Sequence, residues 1–364
     1  MPEPIMRRLL APAVAALAIT VGCHGDAAGP RFEPIDLSGP WATATPPEVG
    51  MDSAALNAAL AYGAAVDGLN GMVVVKDGYL VAEAHYDTLP ADSPRDGRSV
   101  TKSVIGTLVG IAVDQALLSL DQTLEDWFPD HDLDAAHRAI TIRNLLTMTS
   151  GIAWNDDEDY NPWVRSGEPV DFVLNLPIVA APGEQFIYNS GTVHLLSIIL
   201  SRATGSNAAL LVQRNLFDPL GIAWEDWFWR TWPDGTPNGA ADLGMRLTDW
   251  AKIGQLYMQG GRSGDHQVVP AAWVEAATAR QVSLGDIGTF SNAAYGYLWW
   301  RDDTVSHGPA WIAWGYGGQF IYILPGSNLV VATNAVWHGV GATHHQHELA
   351  IAHFIRDHIL PAAR

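Results

Sequence analysis

A buried helix with a polar start is predicted by residues 98–106, which read Arg98-Ser99-Val100-Thr101-Lys102-Ser103-Val104-Ile105-Gly106. The run continues to Val113 with apolar side chains on nearly every face, a pattern typical of a helix enclosed by the core. Ser99 and Lys102 are three residues apart, so their side chains share a face of this helix. Burial disfavours an ammonium ion, and a neutral amine can take the proton of a serine hydroxyl. The stretch therefore predicts a nucleophilic serine beside its base, although alone it is also compatible with a surface helix capped by serine.

A second polar segment, before an apolar helix, reads Phe186-Ile187-Tyr188-Asn189-Ser190-Gly191. A tyrosine on a loop beside a Ser-Lys pair can relay a proton to a leaving group. Taken alone, Tyr188 is equally well interpreted as a packed core tyrosine.

A third segment, at the start of a predicted strand, reads Trp314-Gly315-Tyr316-Gly317-Gly318-Gln319. Glycine allows a ligand to approach the backbone closely, and a strand edge offers N–H groups to an acyl oxygen. The alternative interpretation is a bulge or a turn.

Strand-like runs lie near both ends of the chain, and helical patterns lie between them. An Asp77-Gly78 pair between two β-prone runs predicts a hairpin. This order predicts an α+β fold in which one antiparallel sheet is assembled from distant halves of the chain, with an inserted helical domain. The predicted divisions are a signal peptide over 1–22, a flexible tether over 23–47, a sheet domain formed by 48–120 and 245–364, and a helical domain over 121–244.

Several segments together resemble the β-lactamase-related serine hydrolases, a group that includes class C β-lactamases, family VIII esterases, D-aminopeptidases and 6-aminohexanoate-dimer hydrolases. Besides the S-x-x-K and Gly-rich segments, the resemblance is carried by Leu145-Leu146-Thr147-Met148-Thr149-Ser150-Gly151, Tyr188-Asn189-Ser190-Gly191 and Leu216-Phe217-Asp218-Pro219-Leu220-Gly221-Ile222. It extends from about Pro46 to Ile359, and the order of segments is most similar to the 6-aminohexanoate-dimer hydrolase branch. It implies the fold of β-lactamases and penicillin-binding proteins.

The resemblance also implies acyl transfer through an ester on Ser99, with Lys102 as base and Tyr188 as partner in proton transfer. The backbone N–H groups of Ser99 and Tyr316 would form the oxyanion hole. No cofactor is expected. The histidines at 338, 344, 345 and 347 lie close in sequence but lack the carboxylates and spacing of a catalytic metal site, so no metal is expected. Removing one oxyanion-hole donor typically costs about 10²–10³ in turnover.

The chain departs from the family pattern at two places. Where β-lactamases carry K-T-G, residues 313–315 read Ala-Trp-Gly, so efficient β-lactamase activity is not expected. Where class C enzymes carry Y-x-N, the third position is Ser190. The substrate-binding residues that the resemblance implies are therefore Asn189, Ser190, Trp314 and Gly315, with Asp156 in an acidic loop that could hold a substrate amine or could simply be solvated.

The net charge and the N-terminal sequence indicate which partners and which location to expect for the protein. The 20 basic and 39 acidic residues give a net charge of −19, which argues against binding to nucleic acid. Residues 1–22 have a basic start and a short apolar run, as in a signal peptide. The run ends at the single cysteine, Cys23, in a sequence that resembles a lipobox. We therefore expect a lipid anchor on Cys23 that holds the domain at the periplasmic face of a bacterial membrane, the alternative being an ordinary signal peptide.

The sequence is compatible with two functions. The first is a serine hydrolase acting on a small ester or amide. The second is a binding protein for β-lactams or peptidoglycan fragments that is acylated slowly or not at all.

Overall fold

The computed structural model describes residues 33–288, 290–306, 308–339 and 343–363. The predicted signal peptide and Cys23 lie outside these residues, so the lipid anchor stays a prediction. The strands are β1 (Leu69–Lys76), β2 (Tyr79–His85), β3 (Arg95–Asp96), β4 (Trp227–Trp229), β5 (Leu243–Met245), β6 (Arg262–Ser263), β7 (His266–Gln267), β8 (Val282–Ile287), β9 (Phe290–Tyr295), β10 (Trp300–Asp302), β11 (Ala310–Gly315), β12 (Gln319–Leu324) and β13 (Leu329–Ala335). The α-helices are α1 (Ser53–Gly63), α2 (Val100–Asp114), α3 (Leu124–Trp127), α4 (Ala135–Arg138), α5 (Ile142–Leu146), α6 (Asp156–Arg165), α7 (Pro169–Leu174), α8 (Ser190–Thr204), α9 (Ala208–Val212), α10 (Leu247–Met258), α11 (Ala271–Thr278), α12 (His344–Phe354) and α13 (Leu360–Ala362).

One eight-stranded antiparallel sheet forms the centre of the molecule, in the order β2-β1-β13-β12-β11-β10-β9-β8. β1, from the first third of the chain, pairs with β13, close to its end, so that Val74 lies opposite Val331. The expected α+β architecture, with a sheet assembled from distant halves of the chain, is confirmed.

The predicted hairpin joins β1 and β2. Asp77 and Gly78 both have positive φ, 51° and 83°, as a type I′ turn requires. Glycine at the second position and aspartate at the first adopt this conformation at low cost, so the local sequence is sufficient to specify the turn.

Both faces of the sheet are covered. Along β1, Val73 and Val75 belong to one hydrophobic cluster, and Met72 and Val74 belong to a second cluster on the opposite face. Because successive strand residues point to opposite faces, this division places one core layer on each side of the sheet. Helix α2 lies in the first layer, and 13 of its 15 residues are buried, as its apolar sequence predicts.

The part of the predicted tether that the structure describes, residues 33–47, packs on the domain. Leu37 is buried, and its backbone N–H donates to Ser263 Oγ at 2.8 Å. The indole of Trp41 donates to Thr248 O, and Ala44 N donates to Leu80 O. Apolar side chains in this Gly- and Pro-rich segment pack on the domain, so ordered packing begins well before Asp52 and the prediction of a tether reaching residue 47 is corrected.

The middle of the chain also contains strands that the sequence did not indicate. β4 and β5 form a small sheet with β3, in the order β3-β5-β4. β4 and β5 are each three residues long, which is too short to show a recognisable alternation of apolar and polar side chains.

Within the described residues, no single helix has the length and hydropathy to cross a membrane. Two consecutive helices, residues 190–204 and 208–220, are long and apolar enough only when taken together, and the pair is bent by 75°. Ten of the 15 residues in α8 are buried inside the protein, which accounts for the apolar composition.

Candidate active site

A cleft of about 710 Å³ lies between the start of α2, helix α6 and the end of β11. Its lining includes both predicted catalytic hydroxyl groups, a wall of aromatic rings and several acidic side chains. The residues that line it are Arg98, Ser99, Asn155, Asp156, Asp157, Tyr160, Asn161, Tyr188, Ala241, Ile287, Trp300, Trp314, Tyr316, Trp337, His344, His345 and Glu348.

Lys102 is held directly beside Ser99. Its Nζ lies 2.7 Å from Ser99 Oγ and donates to Ala240 O at 2.9 Å. The residue is 1% exposed, and this burial lowers the lysine pKa to about 8, against the opposing charges of Asp156 and Asp242. A useful fraction of Lys102 is therefore neutral near neutral pH, as a general base requires.

Tyr188 reaches the same hydroxyl from the loop before α8. It lines the cleft beside Ser99, and its ring centroid lies 5.1 Å from Lys102 Nζ. The ring stacks on Trp300 with centroids 5.7 Å apart. Burial raises the pKa of Tyr188 well above its usual value of 10, so the phenol stays protonated. Of the two groups, Lys102 is suited to accept a proton and Tyr188 to pass one on.

A tight turn connects β11 to β12 beside these groups. Gly318 N donates to Gly315 O at 3.1 Å, and Gly317 has φ of 81°, the geometry of a type II turn. The N–H of Tyr316 and the carbonyl of Gly315 belong to one planar peptide and point in opposite directions. Because the carbonyl points into the turn, the Tyr316 N–H points out of it.

The turn packs against the residues that precede the nucleophile. A Cβ added to Gly315 would lie 2.4 Å from Gly97 O and 3.2 Å from the Cβ of Arg98, so only glycine allows this approach. Arg98 itself has φ of 50°, an uncommon conformation at the turn into α2. The contact places the peptide that follows Gly315 beside Gly97 and Arg98, the two residues before Ser99.

Three of the predicted substrate-binding residues are placed differently from the prediction. Asn189 is fully buried, and its side chain accepts a hydrogen bond from Thr192 N as the N-cap of α8. Ser190 is also fully buried and donates to Asp156 Oδ2 at 3.0 Å. Neither lines the cleft, and Gly315 shapes the turn without lining it. In place of the predicted contact with substrate, Asn189 and Ser190 support the wall of the cleft, because the first turn of α8 faces the interior.

Asp156 and Trp314 line the cleft, and their contact with substrate stays a prediction. Asp156 is fixed by two donors, Ser190 Oγ and the indole N–H of Trp154. The indole of Trp314 is largely buried and stacks against His345 with ring centroids 5.5 Å apart. The tryptophans of segment 224–232 do not line the cleft.

Several cleft residues escaped the sequence interpretation, notably Tyr160, Trp300 and Glu348. Tyr160 lies in the acidic segment that includes Asp156. Glu348 lies within α12, beside the histidines at 344, 345 and 347. Within the described residues, no three metal-ligating side chains come together. No local pattern marks Glu348, because its partners are distant in the chain.

Behind the lysine, His194 supports the loop that supplies Ala240. His194 Nδ1 accepts a hydrogen bond from Gly239 N at 3.3 Å, and the ring packs against Trp163 and Trp232. Burial lowers the pKa of His194 to about 4. The imidazole is therefore neutral in the folded protein at neutral pH.

Because His194 is buried and neutral, we expect the protein to lose stability in acid. Unfolded His194 binds a proton near pH 6.5 and the folded residue only near pH 4, so protonation favours the unfolded chain as the pH falls between these values. At 1.36 kcal/mol per pH unit, the free energy of unfolding should drop by about 3 kcal/mol from this residue. Urea unfolding of wild type and His194→Gln at about pH 7 and pH 4.5 measures it. An equal pH dependence in both proteins would contradict the assignment.

Comparison with known proteins agrees with this arrangement. The sequence model of the Beta-lactamase family matches residues 56–352 of the chain. The chain belongs to the Beta-lactamase family. The family and the fold expected from the sequence are thereby confirmed.

Individual relatives show the range of this family. The 6-aminohexanoate-dimer hydrolase of Paenarthrobacter ureafaciens is 24% identical over 291 residues, which are 74% of this chain and 72% of the relative. The octameric penicillin-binding protein homologue of Pyrococcus abyssi superposes with a TM-score of 0.68 at 19% identity, over 85% of this chain and 78% of its own. A D-stereospecific amidohydrolase from Streptomyces sp. superposes with a TM-score of 0.61 at 18% identity, over 78% of this chain and 94% of its own. The two structural likenesses show the shared fold.

Proposed function

We propose that the protein is a serine hydrolase that cleaves an ester or amide of a small substrate through an acyl-enzyme on Ser99. The observation that carries the proposal is the hydrogen-bonded pair of Ser99 Oγ and Lys102 Nζ at the wall of the cleft, with the ring of Tyr188 beside it. A nucleophile within hydrogen-bonding distance of a base with a lowered pKa is the arrangement that acyl transfer requires.

The reaction begins when Ser99 Oγ attacks the substrate carbonyl carbon and its proton passes to the neutral amine of Lys102. The carbonyl π-electron pair moves to oxygen, and the resulting oxyanion accepts hydrogen bonds from the backbone N–H groups of Ser99 and Tyr316. When the intermediate collapses, the bond to the leaving group breaks. The leaving group takes a proton from Tyr188, which is reprotonated by the Lys102 ammonium. Water then attacks the acyl-enzyme by the same steps in reverse, releasing the acid and regenerating Ser99.

The cleft also supports a proposal about the substrate. Ala313 occupies the position of the K-T-G lysine, so the strand presents no cation there to a β-lactam carboxylate. Asp156 and Asp157 instead line the cleft, where carboxylates favour a substrate with a cationic amine. We therefore place small amides or esters with an amino group ahead of β-lactams, in agreement with the 6-aminohexanoate-dimer hydrolase relative.

An active-site phosphonylation experiment tests the proposal. A fluorophosphonate probe should label the wild-type protein once, and mass spectrometry of the digest should locate the adduct on Ser99. p-Nitrophenyl esters and aminohexanoate dimers should be turned over faster than nitrocefin. Absence of labelling, or an adduct on another residue, would overturn the proposal. Labelling without turnover of any of these substrates would favour the slowly acylated binding protein.

A further inference from the structure

One buried carboxylate grips the turn that carries the Tyr316 N–H. Glu348 lies on α12, and its side chain is 6% exposed. Its Oε1 accepts a hydrogen bond from Gly317 N at 2.7 Å, and its Oε2 accepts one from Trp314 Nε1 at 3.1 Å. The two donors stand on either side of Gly315 and Tyr316 in the sequence. Glu348 therefore holds both arms of the turn at once.

The peptide between Tyr316 and Gly317, at the centre of this turn, is held through its carbonyl as well as through its N–H. The carbonyl of Tyr316 accepts a hydrogen bond from Gln319 Nε2 at 3.1 Å, while the N–H of Gly317 donates to Glu348. Type I and type II turns differ by a flip of this central peptide. A flip would break both hydrogen bonds, so Glu348 and Gln319 together favour the observed type II form.

We propose that Glu348 is a positioning residue that holds the Tyr316 backbone N–H in the geometry of the oxyanion hole. The proposal rests on the proposed function, since only acyl transfer creates an oxyanion for this N–H to bind. Glu348 acts through the turn, by way of Gly317 and Trp314, and need not touch the reacting atoms.

The chemistry of the site calls for a carboxylate at this position. Two N–H donors converge on the side chain, and an ionised carboxylate offers an acceptor on each oxygen. A glutamine of the same shape offers one acceptor and one NH₂ group, so one of the two donors would face another donor. Burial raises the pKa of Glu348 to about 7, and the hydrogen bonds from Gly317 and Trp314 oppose that rise.

A direct contact between Glu348 and substrate is the rival explanation, because the residue also lines the cleft. The two explanations differ in kinetics. A contact made equally to bound substrate and transition state changes KM, whereas oxyanion stabilisation exists only in the transition state and changes kcat.

The test compares Glu348→Gln with wild type on a p-nitrophenyl ester. We expect kcat to fall about 10–100-fold, a part of the 10²–10³ that loss of an oxyanion donor costs, with KM within about twofold. The rate of fluorophosphonate labelling should fall in parallel, because the phosphoryl oxygen uses the same N–H groups. Glu275→Gln, an exposed glutamate on α11, is the matched control and should match wild type.

A second variant separates positioning from a general loss of folding. Trp314→Phe removes the indole donor, so in the double variant Trp314→Phe/Glu348→Gln the amide no longer faces two donors. We expect the double variant to be several-fold faster than Glu348→Gln, with all rates expressed per folded molecule from circular dichroism. Glu348→Gln within twofold of wild type, a change confined to KM, or strictly additive effects would each overturn the inference. If wild type were not labelled, or if Ser99→Ala were labelled equally, the proposed function itself would fail instead.

Discussion

Replacing Ser99 by alanine is expected to abolish turnover of any ester that the wild-type protein cleaves. Loss of Oγ removes the only atom that forms the covalent intermediate in the proposed mechanism, and nucleophile deletions in serine hydrolases reduce kcat by about 10⁴–10⁶. Lys102 should stay buried beside Ala240 in the variant, so the fold should be retained. The measurement is steady-state hydrolysis of a p-nitrophenyl ester, together with fluorophosphonate labelling.

Ser103 provides a control within the same helix. It is buried one turn further along α2, and its hydroxyl donates to Leu298 O at 2.7 Å. Ser103→Ala should lower stability by about 1 kcal/mol through the lost hydrogen bond and keep kcat per folded molecule. Residual activity of Ser99→Ala above about 1% of wild type would show that another residue is the nucleophile.

Replacing Lys102 by methionine should reduce kcat/KM by about 10³–10⁴, because Ser99 loses the base that accepts its proton. Methionine fills a similar volume without a buried charge, so the variant should be at least as stable as wild type. Since the pKa of Lys102 is lowered to about 8 by burial, wild-type kcat/KM should rise as the pH rises through about 8. The variant should lose this rise, which a pH–rate profile on the same ester measures.

Lys252 is the matched control, since it is also a buried lysine. It is 5% exposed, and its Nζ donates to the carbonyls of Gly39 and Leu220 away from the cleft. Lys252→Met should change stability and leave the pH–rate profile unaltered. A rise through about pH 8 that persists in Lys102→Met would assign the titration to another group and contradict the role of Lys102 as base.

Much of the site could be predicted because its signals are local. Ser99 and Lys102 share a helix face through their spacing alone, and the apolar continuation of α2 already indicated burial. Tyr188 could be identified only through the resemblance of its segment, since nothing local tells a catalytic tyrosine from a packed one. The structure places its ring 5.1 Å from Lys102 Nζ, in the same cleft lining as Ser99.

The residues that could not be predicted are those whose roles depend on distant partners. Asn189 and Ser190 looked like substrate contacts, but the direction of the first turn of α8 turns both inward. Glu348 and Gly317 are 31 residues apart in the chain, and no periodicity of the sequence predicts their hydrogen bond. Leu37 likewise lies in a segment of loop composition and is buried only because Ser263 and its neighbours provide a surface for it.

The sequence by itself determined the family, the α+β order of elements, the hairpin at Asp77-Gly78 and the placement of Ser99 beside Lys102, because each is encoded by short-range spacing or by ordered motifs. Only the tertiary structure decided which polar groups face the cleft and which support its wall. It also revealed the carboxylate that clamps the turn of Tyr316. Hydrogen bonds between distant segments depend on how helices and strands pack, and that packing is a property of the whole chain.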